Sequence, residues 1–179
     1  MMFTKTFGLA AAFASLASAV PTTISRRSGN TTSSGSSGSV DIINNLNTTI
    51  YAWSVSETSG PMITLEAGSG SYSESWRVNP DGGGISIKLS TTESQDDVLQ
   101  FEYTESGDTI YWDLSCINMG TDSAFTKYGF AVVSDDSSCP NATCAAGDTA
   151  CADAYLVPDD NQATHGCPIN TALTLTLGK

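Results

Sequence analysis

From residue 40 onward, apolar side chains recur at every second position in short runs and almost nowhere at helical spacing. Ile85, Ile87 and Leu89 alternate with Ser86, Lys88 and Ser90, and Leu173, Leu175 and Leu177 alternate with Thr174 and Thr176. Successive side chains on a strand point to opposite faces, so each such run has one core face and one wet face. On this basis strands are expected at Val40–Asn44, Thr49–Val55, Met62–Glu66, Ser71–Val78, Gly84–Ser90, Val98–Thr104, Thr109–Leu114, Tyr128–Ser134 and Ala172–Leu177. Asn79-Pro80-Asp81-Gly82 and Ser106-Gly107-Asp108 supply turn chemistry between them. Strands recurring roughly every ten residues, with turns between, predict an all-β sandwich. One short helix, near Asp148–Tyr155, is the single exception expected.

The length of 179 residues suits one domain. Its start reads as an export signal: Lys5, an apolar run from Phe7 to Leu16, then Ala17-Ser18-Ala19. That run is too short to span a bilayer. Residues 1–19 are therefore assigned to a signal peptide. Residues 20–39 are expected to hold a pro-segment, released by a dibasic cut at Arg26-Arg27, and a Ser/Gly/Thr linker. The ordered domain is expected over 40–179.

Beyond Arg27, four basic side chains face all 19 acidic ones, a net charge of −15. Neither a nucleic-acid phosphate track nor an anionic membrane surface suits such a chain. Asn30, Asn47 and Asn141 each begin an N-glycosylation triplet.

The five cysteines are Cys116, Cys139, Cys144, Cys151 and Cys167. In an exported chain they read as two disulfides and a spare thiol, and four cysteines permit three pairings. There is no C-x-x-C and His165 is the sole histidine, so no metal and no cofactor are expected.

Several segments together carry a resemblance. Cys139-Pro-Asn-Ala-Thr-Cys144-Ala-Ala is followed by Cys151-Ala-Asp-Ala-Tyr155, by Pro158-Asp159-Asp160, and by Cys167-Pro168, with Asp160 seven residues before Cys167. Upstream stand Leu99-Gln-Phe-Glu-Tyr-Thr104, Tyr111-Trp-Asp-Leu-Ser115 and the stretch from Val40 to Trp53. Over residues 40–179 the chain resembles thaumatin-like proteins, and most of all the small fungal antigenic ones of the Bys and CetA type. The resemblance implies a thaumatin-like antiparallel β-sandwich lacking the disulfide-rich second domain, since only six residues separate Cys144 from Cys151. It implies the pairs Cys139–Cys167 and Cys144–Cys151, with Cys116 free. It places Leu46 and Gly178 where the family has a crosslink between its first hairpin and the chain end.

It also implies an acidic cleft for β-1,3-glucan. By position Glu102, Asp113 and Asp160 match cleft acids, Asn118 replaces another, and Arg77 matches the cleft arginine. Glu102 alternates with Phe101 and Tyr103, so it faces outward if those rings are core. Asp113 falls on the next strand, about two residues out of hairpin mirror. Paired carboxylates beside one sugar can act as acid and as base or nucleophile. Trp53, Trp76, Trp112, Tyr72, Tyr103 and Tyr111 are candidates for a sugar-stacking surface. The expected role is cell-wall β-glucan association by a secreted, extracellular or wall-bound monomer. One alternative is a weak endo-β-1,3-glucanase with Glu102 as acid and Asp113 as second carboxylate. The other is a secreted antigen or effector that engages a host protein.

Overall fold

The computed structural model describes residues 38–179. The signal peptide, the Arg26-Arg27 cut, the Asn30 triplet and nearly all of the linker lie outside the described residues. In chain order the elements are β1 (Ser39–Asn44), β2 (Ile50–Val55), β3 (Ile63–Leu65), β4 (Ser71–Ser75), β5 (Ile85–Ser90), β6 (Leu99–Ser106), β7 (Thr109–Ser115), α1 (Ala124–Tyr128), β8 (Phe130–Ser134), β9 (Ala142–Cys144), a 3-10 turn (Asn161–Ala163), β10 (His165–Pro168) and β11 (Ala172–Leu177). No helix among the described residues is long and apolar enough to cross a membrane.

The strands form two sheets, ordered β4-β1-β11-β8-β9 and β10-β7-β6-β5-β2-β3. Their apolar faces share one buried cluster, in which Val40, Ile42, Leu173, Leu175 and Leu177 of the first sheet join Ile85, Ile87, Leu89, Phe101 and Trp112 of the second. Burying each such side chain fully is worth about 1.5–3 kcal/mol, which is why the alternation governs the fold. All strand pairs are antiparallel except β1 with β11. Those two come from opposite ends of the domain, so no hairpin constrains them and a parallel pairing is open to them.

The helix expected at Asp148–Tyr155 is not formed. There the Asp148 and Asp153 carboxylates accept from the backbone N–H groups of Ala150 and Thr143, Cys151 is held by a disulfide, and Tyr155 bridges to Ser115. Side chains that bond backbone in this way compete with helix. Helix appears instead at α1, where Ser123 Oγ accepts from Phe125 N at 3.2 Å. β9 and β10, not foreseen, are short edge strands without the β-branched alternation that marks the others.

Both disulfides implied by the resemblance are formed. Cys139–Cys167 ties β10 to the loop before β9, and Cys144–Cys151 closes a separation of seven residues. Cys116 is free and buried, and burial pushes its thiol up to about 11. Leu46 and Gly178 are neighbours as expected: a Cβ on Gly178 would come within 2.8 Å of Leu46 Cδ2.

Candidate functional site

Phe101 and Tyr103 are buried, which turns Glu102 outward on β6. The turn to β7 contains only Gly107 and Asp108, because Ser106 and Thr109 already pair. Gly107, at φ 62°, supplies the positive φ that such a short connection demands. Pairing back from that turn sets Glu102 directly opposite Asp113, not two residues out of mirror. Facing side chains on antiparallel strands hold their Cβ atoms about 4.5–5.5 Å apart. On its other side Glu102 pairs with Ser86 of β5, and Ser86 with Val55 of β2. Val55, Ser86, Glu102 and Asp113 thus form a row across four strands.

This row floors a cleft of about 380 Å³, walled by Gly84, Thr104, Tyr111 and Thr164. Tyr111 is the one exposed ring among the six aromatic candidates, at 46%. It lies over Gly166 of β10, where an added Cβ would sit 3.3 Å from Tyr111 Cε1. The glycine therefore gives the ring room to rest against the sheet. Trp53, Trp76, Trp112 and Tyr103 are core, and Tyr72 is half-buried with its hydroxyl donating to Glu74 Oε2 at 2.6 Å. Trp112 stacks on Phe101, packs at a tilt against the His165 ring and donates to Cys167 Sγ at 3.2 Å, so the disulfide packs directly beneath the cleft's outer strands.

Burial and then the neighbouring Glu102 charge push the Asp113 carboxyl up to about 7. Its Oδ1 is buried with no hydrogen-bond partner among the described residues. Burial also raises Glu102, opposed by a hydrogen bond with Ser86 and by the charge of Lys88. Near neutral pH Asp113 is therefore about half-protonated, facing Glu102. Together they accept and donate hydrogen bonds, which suits vicinal hydroxyl groups.

The other residues expected in the cleft do not line it. Arg77 Nη2 donates to Ser54 Oγ at 2.8 Å, and its Nε stands 3.7 Å from Glu74 Oε1. Glu74 also accepts the Tyr103 hydroxyl at 2.5 Å, so this cation belongs to a cluster centred on Glu74. Lys88, diagonal to Glu102 on β5, is the cation that acts on the cleft. Asp160 is a turn former: its Oδ2 accepts from the N–H groups of Leu156 and Val157 at 2.9 and 3.0 Å, and those bonds hold its carboxyl below the usual range. Asn118 is exposed and its Oδ1 accepts from Gln100 Nε2 at 3.4 Å. Ser86, Lys88, Thr104 and Thr164 were not foreseen. The wet positions of the β5 alternation carried a signal for the first two, whereas Thr164 reaches the site only through the unforeseen β10.

Among the described residues no three His, Cys, Asp or Glu side chains are grouped to hold a metal ion.

The sequence model of a family described as Blastomyces yeast-phase-specific protein matches residues 29–179. The chain is 48% identical over 178 residues to the secreted thaumatin-like protein calA of Emericella nidulans, covering 99% of this chain and 98% of that protein. It is 40% identical over 144 residues to an antigenic thaumatin-like protein of Arthroderma benhamiae, covering 80% and 72%. Among solved structures, the protein elicitor MoHrip2 from Magnaporthe oryzae is similar with a TM-score of 0.65 and 25% identity, over 79% of this chain and 99% of that one.

Proposed function

The chain belongs to the Blastomyces yeast-phase-specific protein family and is a secreted thaumatin-like protein, and from that premise we propose that its Glu102–Asp113 cleft binds cell-wall β-1,3-glucan without cleaving it. The observation that carries this reading is the placement of one exposed tyrosine beside two facing carboxyl groups in one cleft. The apolar face of a pyranose ring packs on an aromatic ring, while its hydroxyls need both donors and acceptors. Tyr111 supplies the first, and Glu102, Asp113, Ser86 and Thr104 supply the second. Lys88 partly offsets the negative charge, which an uncharged polysaccharide cannot do for itself.

Pull-down on insoluble β-1,3-glucan tests this. The wild type is retained, and Tyr111→Ala and Glu102→Gln pass into the supernatant. Equal retention of all three removes the cleft from the function.

A second reading, weak endo-β-1,3-glucan hydrolysis, draws on the raised Asp113 carboxyl. A leaving-group oxygen must be protonated, and of the two groups Asp113 is the one whose carboxyl is pushed up to about 7, so it rather than Glu102 takes the acid's role. Reducing-sugar release from laminarin that Asp113→Asn abolishes supports hydrolysis; no release leaves the cleft as a binder. The effector reading draws on the likeness to a protein described as an elicitor.

A further inference from the structure

We propose that Asn47 carries an N-linked glycan whose first sugar seats in a second groove, against Tyr128, and joins the β1–β2 loop to the end of α1 and the last two residues. The groove has a volume of about 320 Å³ and is lined by Asn45, Leu46, Asn47, Tyr128, Gly178 and Lys179. That lies within the range of about 300–1,000 Å³ typical of small-molecule sites.

The loop that presents Asn47 is held rigidly from below. Asn44 is fully buried; its Oδ1 accepts from Leu46 N at 3.0 Å, and its Nδ2 donates to the carbonyls of Thr48, Leu65 and Glu66 at 2.9, 3.1 and 3.0 Å. Gly68 N donates to Leu46 O at 2.7 Å from the far side. Asn47 is exposed on this fixed loop, and its side-chain amide has no hydrogen-bond partner among the described residues. Thr49 completes the triplet that the export pathway's transferase reads.

The opposite wall is aromatic. Tyr128 is 37% exposed, its ring is attended by Lys127 Nζ at 5.0 Å from the centroid, and its carbonyl accepts from Lys179 N at 3.1 Å. A sugar joined to Asn47 is delivered to this ring without the translational cost of binding from solution. Asn141 differs: its Oδ1 already accepts from Ser134 N at 3.1 Å, and it does not line this groove.

In the transfer, Asn47 Nδ2 bonds to C1 of the N-acetylglucosamine at the root of a lipid-diphosphate-linked oligosaccharide. The C1–oxygen bond breaks, the diphosphate leaves with the electron pair, and one amide proton passes to base.

The test uses protein secreted by a glycosylating eukaryotic host. Peptide mapping should find Asn47 occupied, and endoglycosidase trimming to the single root sugar should leave the melting temperature unchanged. Asn47→Gln should lower it by about 3 °C, and Thr49→Ala, which blocks transfer while keeping Asn47, should reproduce that loss. Tyr128→Leu should lower it in the glycosylated protein and add nothing in the Asn47→Gln background, the signature of a shared interaction. An unoccupied Asn47, or independent and additive losses at Asn47 and Tyr128, overturns the proposal.

Discussion

Glu102 and Asp113 face each other across β6 and β7, and the cation beside them is Lys88 rather than Arg77. Like charges directly opposite on an antiparallel pair destabilise a sheet. Arg77 would ease this repulsion from within the cleft, yet it pairs with Glu74 instead. A local conflict of that kind, in an otherwise self-consistent sheet, marks a site kept for something other than stability.

The first consequence concerns titration. A carbon-detected NMR titration should place the Asp113 midpoint at about 7. In Glu102→Gln it should fall, because the neighbouring charge is gone, while staying above the 3.8 of an ordinary aspartate, because burial is the larger cause.

Stability should follow the same group. The folded protein keeps the Asp113 proton up to about pH 7, whereas the unfolded chain releases it near 3.8. More protons are bound in the folded state across that window, so stability declines as pH rises through it. Asp113→Asn escapes the decline. Denaturant unfolding should find the variant equal to wild type near pH 4 and more stable by about 1–2 kcal/mol above pH 7, the full shift being screened by the half-open cleft.

Tyr111 can be tested without touching an acid. Gly166→Ala inserts a methyl 3.3 Å from the ring and displaces it by a few tenths of an ångström. Glucan affinity should fall about tenfold for Tyr111→Ala, the equivalent of about 1.4 kcal/mol, and by less for Gly166→Ala. Circular dichroism should leave both folded, since Tyr111 lies outside the core.

The outward direction of Glu102 was legible in the sequence because burial of Phe101 and Tyr103 dictates it, and the strand alternation at 85–90 and 172–177 was legible for the same reason. The pairing of Glu102 with Asp113 is not legible there, because one residue more or less in the turn at Gly107 shifts the register, and turn length is a local backbone matter. The position of Asp160 outside the cleft is not legible either, because its Oδ2 accepts from backbone N–H groups three and four residues earlier, a contact that spacing to Cys167 does not reveal. β10 carries no local signal, because its four residues include Gly166 and Pro168 and it is held by pairing to β7 and by Cys167, neither of which is local.

The Cys139–Cys167 bridge should matter to the cleft as well as to the fold. It spans 28 residues, a loop worth about 3–4 kcal/mol on the chain-entropy account. The double Ser variant should lose that much in chemical unfolding. Its Trp112 fluorescence should change, because Trp112 donates to Cys167 Sγ and its ring packs against His165. Cys116, buried with its thiol at about 11, should resist alkylation until the protein unfolds.

The most direct measurement is an amide NMR titration of the secreted domain with a soluble β-1,3-glucan oligosaccharide. The account predicts saturable shifts concentrated at Ser86, Glu102, Thr104, Tyr111 and Asp113, and their loss in Tyr111→Ala. Shifts confined to other surfaces, such as the Asp160 turn, or none at saturating sugar, would contradict it.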